Sequence, residues 1–306
     1  MMINAFITSA GHSGSTLLDM MLGSHPCCES IGELVHLPMD MAMNKQCGCG
    51  HPMQKCGLWP VVMNRMGVDP RKDPYILNLG YALPMVGDKK RTSLLYRLTT
   101  RSKNAIKYAE LRLGIDWIKK LTPGFAIGID NTLSIYDHVR DVTGKDVVVD
   151  SSKHYLRAVE LYRRRPESTR IIVLVRDGRG VFYSFLKRQY GRRFSMNAWR
   201  EHYRRLYILL NKYVDPQHRI VLHYEDLVED TQRTLDSLCK FIGLEYIDIM
   251  IGFRSLVHHN INGNDMKFLT SSELHMDVKW KKKLSISDLE YFERHAGKIN
   301  RYFGYV

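Results

Sequence analysis

The stretch from Phe6 to Gly23 constrains the fold of this chain more than any other. It reads Phe-Ile-Thr-Ser-Ala-Gly-His-Ser-Gly-Ser-Thr-Leu-Leu-Asp-Met-Met-Leu-Gly: an apolar strand, a turn of small residues, then the start of a helix. The turn Ala10-Gly11-His12-Ser13-Gly14 lets the backbone approach a ligand closely. Ser15 and Thr16 open a helix whose unpaired N–H groups and positive dipole end face the same point. A phosphate or sulfate fits such a cradle. The related nucleotide-triphosphate loop, G-x-x-x-x-G-K-[ST], carries a lysine that reaches the β- and γ-phosphates. Here Ser15 and Thr16 follow Gly14 directly, and that lysine is missing. Turns of this kind are common, so the rest of the chain has to decide what the cradle holds.

Residues 146–150, 170–175 and 219–223 are short, β-branched runs followed by polar residues or a helix start, which predicts buried parallel strands. Helices are expected at 15–23, 154–165, 178–189, 195–213, 231–242 and 287–302, the last with Leu289, Phe292, Ala296, Ile299 and Phe303 on one face. Strand followed by helix, several times over, predicts an α/β, P-loop-like three-layer fold. Its central, mainly parallel β-sheet is flanked by helices and binds ligands at the carboxyl ends of the strands. From about 60 to 128 the pattern is interrupted: Pro70, Pro74 and Pro84 precede a basic, helical stretch from 89 to 120. We read one domain over 1–306 with a helical insertion at about 60–128. The plainer alternative for the insertion is a pair of solvated charged helices.

A chain of 306 residues with 44% hydrophobic content can bury a substantial core. Forty-five Lys and Arg against thirty-two Asp and Glu give a formal charge of +13, which attracts anionic partners. No zinc-finger spacing, RNP-type aromatic motif or long basic tract is present, so nucleic acid is set aside as the main ligand. The first strand starts almost at Met1, leaving no room for a signal peptide, and no apolar run approaches the ~20 residues that cross a bilayer. A cytoplasmic protein, touching a membrane surface weakly at most, is the expectation.

Further motifs line up behind the cradle. Val147-Val148-Val149-Asp150-Ser151-Ser152-Lys153 ends a strand with two hydroxyls and a lysine. The run from Arg170 to Ser184 repeats the strand-to-helix geometry, with the fork of Arg176 at the strand end and the Ser184 hydroxyl two turns into the helix. Tyr224-Glu225-Asp226-Leu227 reads equally as a ligand contact and as a strand end with helix caps at Asp226 or Asp230. A late polar loop, His259-Asn260-Ile261-Asn262-Gly263-Asn264-Asp265-Met266-Lys267, is followed by Trp280-Lys281.

Together these motifs resemble those of sulfotransferases that use 3′-phosphoadenosine 5′-phosphosulfate (PAPS). The resemblance covers about residues 3–50 and 145–306. It is closer to the bacterial, carbohydrate and tyrosylprotein branch, with Gly-x-Ser-Gly-Ser-Thr and Asp-Ser-Ser-Lys, than to the cytosolic aryl and steroid branch. It implies that Gly11, His12, Ser13, Gly14, Ser15 and Thr16 hold the 5′-phosphosulfate, and that Arg176 and Ser184 grip the 3′-phosphate. Tyr224, Gly263, Asn264 and Lys267 join the nucleotide site on the same ground, Lys267 standing where an arginine is common. The segment Ser30-Ile31-Gly32-Glu33-Leu34 matches the branch in which a glutamate is the base, which makes Glu33 that residue here. Lys153 and His12 would stabilise the sulfuryl and bridging oxygens. A basic residue usually stands at the position of His12, whose pKa is expected to rise beside two phosphates.

Sulfuryl transfer rests on in-line positioning and on stabilising the leaving charge, so no metal is expected. The acceptor would be a small molecule, carbohydrate, lipid or peptide bearing a hydroxyl, or less readily an amine, with the 60–128 insertion lining its site. Lys89, Lys90 and Arg91 are where an anionic acceptor would be sought. The rival readings are a nucleotide kinase or P-loop NTPase, and a non-catalytic module for anionic ligands.

Cys47-Gly48-Cys49-Gly50-His51 and Cys56 put three thiols and an imidazole within ten residues. Free structural thiols, a zinc site and a disulfide all remain open, since C-x-C is not the usual C-x₂₋₄-C spacing. Cys27, Cys28 and Cys239 are expected in or near the core.

Overall fold

The computed structural model describes residues 2–73, 76–79, 94–115, 122–269, 271 and 273–306. Five strands, β1 (Ile3–Thr8), β2 (Cys28–Gly32), β3 (Val147–Lys153), β4 (Thr169–Val175) and β5 (Arg219–His223), form one sheet in the order β2-β3-β1-β4-β5. Every pairing is parallel, with Ile3 opposite Val147 and Ile7 opposite Ile172. The described helices are α1 (Ser15–Gly23), α2 (Leu37–Ala42), α3 (Trp59–Arg65), α4 (Leu94–Leu113), α5 (Pro123–Thr143), α6 (Tyr155–Arg164), α7 (Gly178–Lys187), α8 (Arg192–Tyr213), α9 (Tyr224–Glu229), α10 (Thr231–Ile242), α11 (Trp280–Lys283) and α12 (Ile286–Tyr302). The expected α/β architecture is present.

The apolar runs are continuous because both faces of the sheet are covered. Side chains alternate along each strand. Phe6, Val148, Ile171, Val173 and Val175 pack into one cluster with Ile135 of α5, Leu156 of α6 and Trp199 of α8. Ile7, Val147, Val149, Ile172 and Leu174 face the other way, against Leu18 of α1 and Leu238 of α10. Burying each of these side chains stabilises the fold by about 1.5–3 kcal/mol. The stripe expected on α12 buries Phe292 and Ala296 beside Trp199, whose ring centroid lies 5.9 Å from that of Phe292.

Two elements escape the sequence pattern. Edge strand β2, Cys-Glu-Ser-Ile-Gly, is buried along its length despite its polar residues. Lys145 Nζ donates to Glu29 Oε2 at 2.7 Å and Ser30 Oγ donates to Asp19 Oδ2 at 2.5 Å, which satisfies the groups that burial would otherwise penalise. Helix α5 begins at Pro123 and is capped after Thr143 by Gly144, a left-handed residue with φ 70°.

The insertion boundary at 128 therefore falls inside α5, and the boundary at 60 inside α3. Both helices belong to the core. Trp59 is fully buried, Tyr136 OH donates to Asp150 Oδ2 at 2.6 Å, and Arg140 Nη2 donates to Ile3 O at 2.9 Å, which ties α5 to the sheet. Within the basic stretch, α4 is helical as expected, but Lys107 is buried between Glu110 and Glu160 rather than solvated. Lys89, Lys90 and Arg91 lie outside the described residues. Cys28 and Cys239 are buried as expected, whereas Cys27 is exposed. Among the described residues, no helix is long and apolar enough to cross a membrane.

Candidate active site

The carboxyl ends of β1, β3, β4 and β5 open on a cleft of about 800 Å³. Its floor is the β1–α1 turn. Gly14 caps α1 in the left-handed region, φ 88°, and no side chain caps the helix start, so the first N–H groups of α1 remain donors without a side-chain partner. The glycine is required twice over: its φ is costly for an L residue, and a Cβ there would collide with the ring of Tyr224. Gly11, His12, Gly14, Ser15 and Thr16 line the cleft, while Ser13 is wholly buried beneath it.

Glu33 follows β2 and Lys153 ends β3, and the two meet across the cleft. Lys153 Nζ donates to Glu33 Oε1, Asn262 Nδ2 donates to Glu33 Oε2 at 3.1 Å, and His36 Nε2 lies 3.6 Å from the same oxygen. Burial pushes the Glu33 carboxyl up, but the charge of Lys153 and the bonds from His36 outweigh it and hold the pKa at about 2. Lys153 itself has φ 70°. Thr8 Oγ1 at 2.6 Å and Ser9 N at 3.3 Å donate to its carbonyl and hold that conformation.

His12 lies among cations. Its pKa falls to about 4, first because the ring is buried and then because Arg188, Lys153 and Arg176 surround it with positive charge. It is a neutral imidazole, seated edge-on against Phe185 at 4.8 Å. The anion expected to raise its pKa would have to come from a ligand.

Arg176 follows β4 and Ser184 lies on α7, and both line the cleft. Arg176 Nη1 donates to His12 O at 2.9 Å and Nη2 to Asp277 O at 2.8 Å, with Asp277 Oδ2 3.1 Å from Nη2. Its guanidinium stacks 4.7 Å from the ring centre of Tyr224. Tyr224 thus braces both Gly14 and Arg176 as well as lining the cleft. Ser184 Oγ donates to Gly180 O at 2.8 Å.

The late loop closes the far wall with Asn262, Gly263 and Asn264. Asn264 N donates to Thr16 Oγ1 at 3.1 Å, Glu33 N donates to Ile261 O at 2.9 Å, and a parallel bridge joins Gly32 to Ile261. Lys267 does not line the cleft. It is buried behind the loop, and its ammonium donates to Asn262 O at 2.7 Å and Asn260 O at 3.3 Å.

Sequence reasoning missed Lys187 and Arg188, which line the cleft one helical turn beyond Ser184; that i+3, i+4 spacing was the available signal. On the other side of the Glu33–Lys153 pair lies a smaller pocket of about 180 Å³, lined by Ser9, Val35, His36, Ser152, His154 and His202 among others. Burial lowers the pKa of His202 to about 3, and its Nε2 is 3.4 Å from Thr8 Oγ1. Among the described residues, none between 60 and 128 lines either space.

A family model described as "Sulfotransferase family" matches residues 102–248, reaching into the middle of the chain where the sequence motifs find no counterpart. Among solved structures, the sulfotransferase domain from the Synechococcus PCC 7002 olefin synthase is 19% identical, with 96% of this chain and 94% of that chain covered and a TM-score of 0.53. The sulfotransferase domain from the curacin biosynthetic pathway is 17% identical, covers 100% of this chain and 99% of that chain, and gives a TM-score of 0.55. At these identities the likeness is one of fold. None of the curated proteins compared with this chain matches it.

Proposed function

We propose that this chain, a member of the sulfotransferase family, moves a sulfuryl group from PAPS to a hydroxyl of an acceptor, with an amine as the second choice. The observation that carries this reading is a convergence. The uncapped start of α1, the Glu33–Lys153 pair, and Arg176 with Ser184 all open on one cleft. A nucleotide with a phosphosulfate at one end and a 3′-phosphate at the other would meet a separate group of donors for each end.

PAPS, when bound, supplies the sulfuryl group, whose bond to the phosphate oxygen breaks as the acceptor oxygen forms its own bond to sulfur. The N–H groups opening α1 and the Ser15 hydroxyl would hold the 5′-phosphate, and Arg176 and Ser184 the 3′-phosphate. Lys153, the loop amides and His12 would meet the charge that develops on the leaving oxygen. Glu33 would take the acceptor proton. At a pKa of about 2 it is too acidic for that role while Lys153 holds it. Drawing the Lys153 ammonium toward the leaving phosphate removes the largest of the influences that lower the Glu33 pKa, and burial then raises it. One displacement would stabilise the leaving group and strengthen the base. The pocket of about 180 Å³ beyond the pair is the place for the reacting end of the acceptor.

The residues give little support to metal-assisted phosphoryl transfer. Asp150, the strand-end carboxylate, is buried and committed to Tyr136, Arg157 and Ser152. A cytoplasmic setting and a small-molecule, carbohydrate, lipid or peptide acceptor belong to the same proposal. The test is twofold. Adenosine 3′,5′-bisphosphate should raise the melting temperature well beyond what AMP does, and sulfate should pass from PAPS to at least one member of a panel of alcohols, phenols and sugars without added divalent metal. Stabilisation by ATP with Mg²⁺ and not by the bisphosphate would overturn the reading.

A further inference from the structure

The three thiols of the 47–56 loop acquire a different fourth partner from the one their spacing suggests. His51 is exposed. His259 instead enters from the late loop and brings its Nδ1 to 3.2 Å from Cys56 Sγ. The ligand atoms of Cys47, Cys49, Cys56 and His259 all lie within 4.8 Å of one another. We propose that these four side chains form a structural zinc site, three thiolates and one imidazole, that fastens the 47–56 loop to the late loop beside the active cleft.

The dimensions fit. A tetrahedral zinc with Zn–S near 2.3 Å and Zn–N near 2.0 Å has ligand-to-ligand edges of roughly 3.5–3.8 Å. Cys47 Sγ and Cys56 Sγ are 3.6 Å apart, close to such an edge, and the 3.2 Å from Cys56 Sγ to His259 Nδ1 is slightly inside it. A disulfide would need the two sulfurs at about 2.0 Å. The backbone is arranged for thiolates as well. Leu58 N donates to Cys56 Sγ at 3.5 Å. N–H groups aimed at sulfur favour the deprotonated, metal-binding form.

The two loops are also built to touch here. Gly48 N donates to Asn260 O at 3.0 Å, a Cβ on Gly48 would collide with the Asn260 side chain, and Trp59 Nε1 donates to His259 O at 2.8 Å. Three thiolates and an imidazole form the closed, soft donor set that suits zinc in a structural role. None of the four lines the cleft or the smaller pocket, so the ion would not act on substrate. Its effect would pass through the loop. His259 immediately precedes Asn260, which donates to Asp19 Oδ2 at 3.0 Å, and shortly beyond it Asn262 reaches Glu33 and Asn264 reaches Thr16. The metal would thereby fix the register of the wall that orients the proposed base. This takes up the zinc alternative left open for these thiols and assigns the metal no part in transfer.

The test uses the full chain without a histidine tag. Plasma mass spectrometry should find close to one zinc per chain, and cobalt exchanged into the wild-type protein should give thiolate-to-cobalt charge transfer with the visible bands of a tetrahedral site. Cys56→Ser and His259→Ala should each weaken zinc retention against a competing chelator by roughly tenfold or more. Cys27→Ser, which changes an exposed thiol outside the cluster, should not. A reduced, folded chain that holds no zinc and gives no cobalt–thiolate absorption would overturn the proposal, as would a metal-free chain with Cys47 and Cys56 joined as a disulfide. Because the cobalt spectrum is read on the wild type, misfolding of a variant does not decide the question. Binding of adenosine 3′,5′-bisphosphate is measured separately: a zinc-loaded chain that ignores the bisphosphate leaves this site standing and removes the sulfotransferase reading.

Discussion

Replacing Arg176 by alanine tests the proposed nucleotide site most directly, because the structure shows what the guanidinium already holds. Its Nη2 is 3.1 Å from Asp277 Oδ2, a carboxylate side chain that is 40% exposed. A 3′-phosphate must displace that partner. A charge-assisted bond to the phosphate contributes about 1.5–3 kcal/mol. The partly exposed ion pair it replaces is worth about 0.2–1 kcal/mol. The difference, about 0.5–2.8 kcal/mol, makes the preference for adenosine 3′,5′-bisphosphate over AMP that depends on Arg176 roughly 2- to 100-fold. Isothermal titration of both nucleotides against wild type and Arg176→Ala should show that preference collapse while AMP affinity changes less. Retained AMP binding also checks that losing the bond to His12 O has not disordered the loop. Asp277→Asn should act in the opposite direction and tighten the bisphosphate by up to about fivefold, since the competing charge is gone. If Arg176→Ala leaves the ratio of the two affinities unchanged, the 3′-phosphate is bound elsewhere.

Other expectations follow from the same geometry. Glu33→Gln should lower turnover by roughly a hundredfold or more while leaving bisphosphate affinity nearly intact; undiminished turnover would move the base to His36, His154 or His202 or to the acceptor itself. The Glu33 pKa is lowered on folding from 4.5 to about 2, so its contribution to stability is complete above 4.5 and disappears as pH falls through 2. The stability gap between wild type and Glu33→Gln, on the order of 3 kcal/mol at neutral pH, should therefore close on acidification, and a gap constant with pH in urea unfolding would contradict the pairing with Lys153. Gly14→Ala should cost more than Gly144→Ala, by about 1–3 kcal/mol, because both have positive φ but only Gly14 has a ring, that of Tyr224, where the Cβ would go. Equal losses would mean that the ring simply moves aside.

How far the sequence discloses the molecule depends on whether local chemistry or long-range partners decide an element. Strand β4 and helix α1 are legible because their residues agree with their environment: a β-branched run buried on both faces, and small residues opening a helix. Strand β2 is illegible because Glu29 and Ser30 look exposed until Lys145 and Asp19 arrive to pair with them. Helix α5 interleaves Gly128 and Thr132 with its apolar residues, which blurs the period, although Pro123 and Gly144 mark its ends. In the site, Lys153, Arg176 and Ser184 follow from strand-end motifs. Lys267 does not, because a motif carries its charge but not its direction, and the nearby carbonyls of Asn260 and Asn262 capture the ammonium. His202 and His259 have no local signature at all; they reach Thr8 and Cys56 from 194 and 203 residues away.

The strained backbone explains why that captured lysine matters. Of the five non-glycine residues with positive φ among those described, three border the cleft: His12 at 64°, Lys153 at 70° and Asn262 at 51°. Each such conformation costs on the order of 1–2 kcal/mol and persists only if neighbours over-determine it. Each has its carbonyl held by a side chain. Arg176 bonds that of His12, Thr8 that of Lys153, and Lys267 that of Asn262. Lys267 therefore bears on the cleft through the turn from which Asn262 reaches Glu33 rather than by lining it. The Arg176 bond has a further consequence. The side chain proposed for the 3′-phosphate also holds the turn proposed for the 5′-phosphate, so a phosphate that drew Arg176 away from His12 O would loosen that turn.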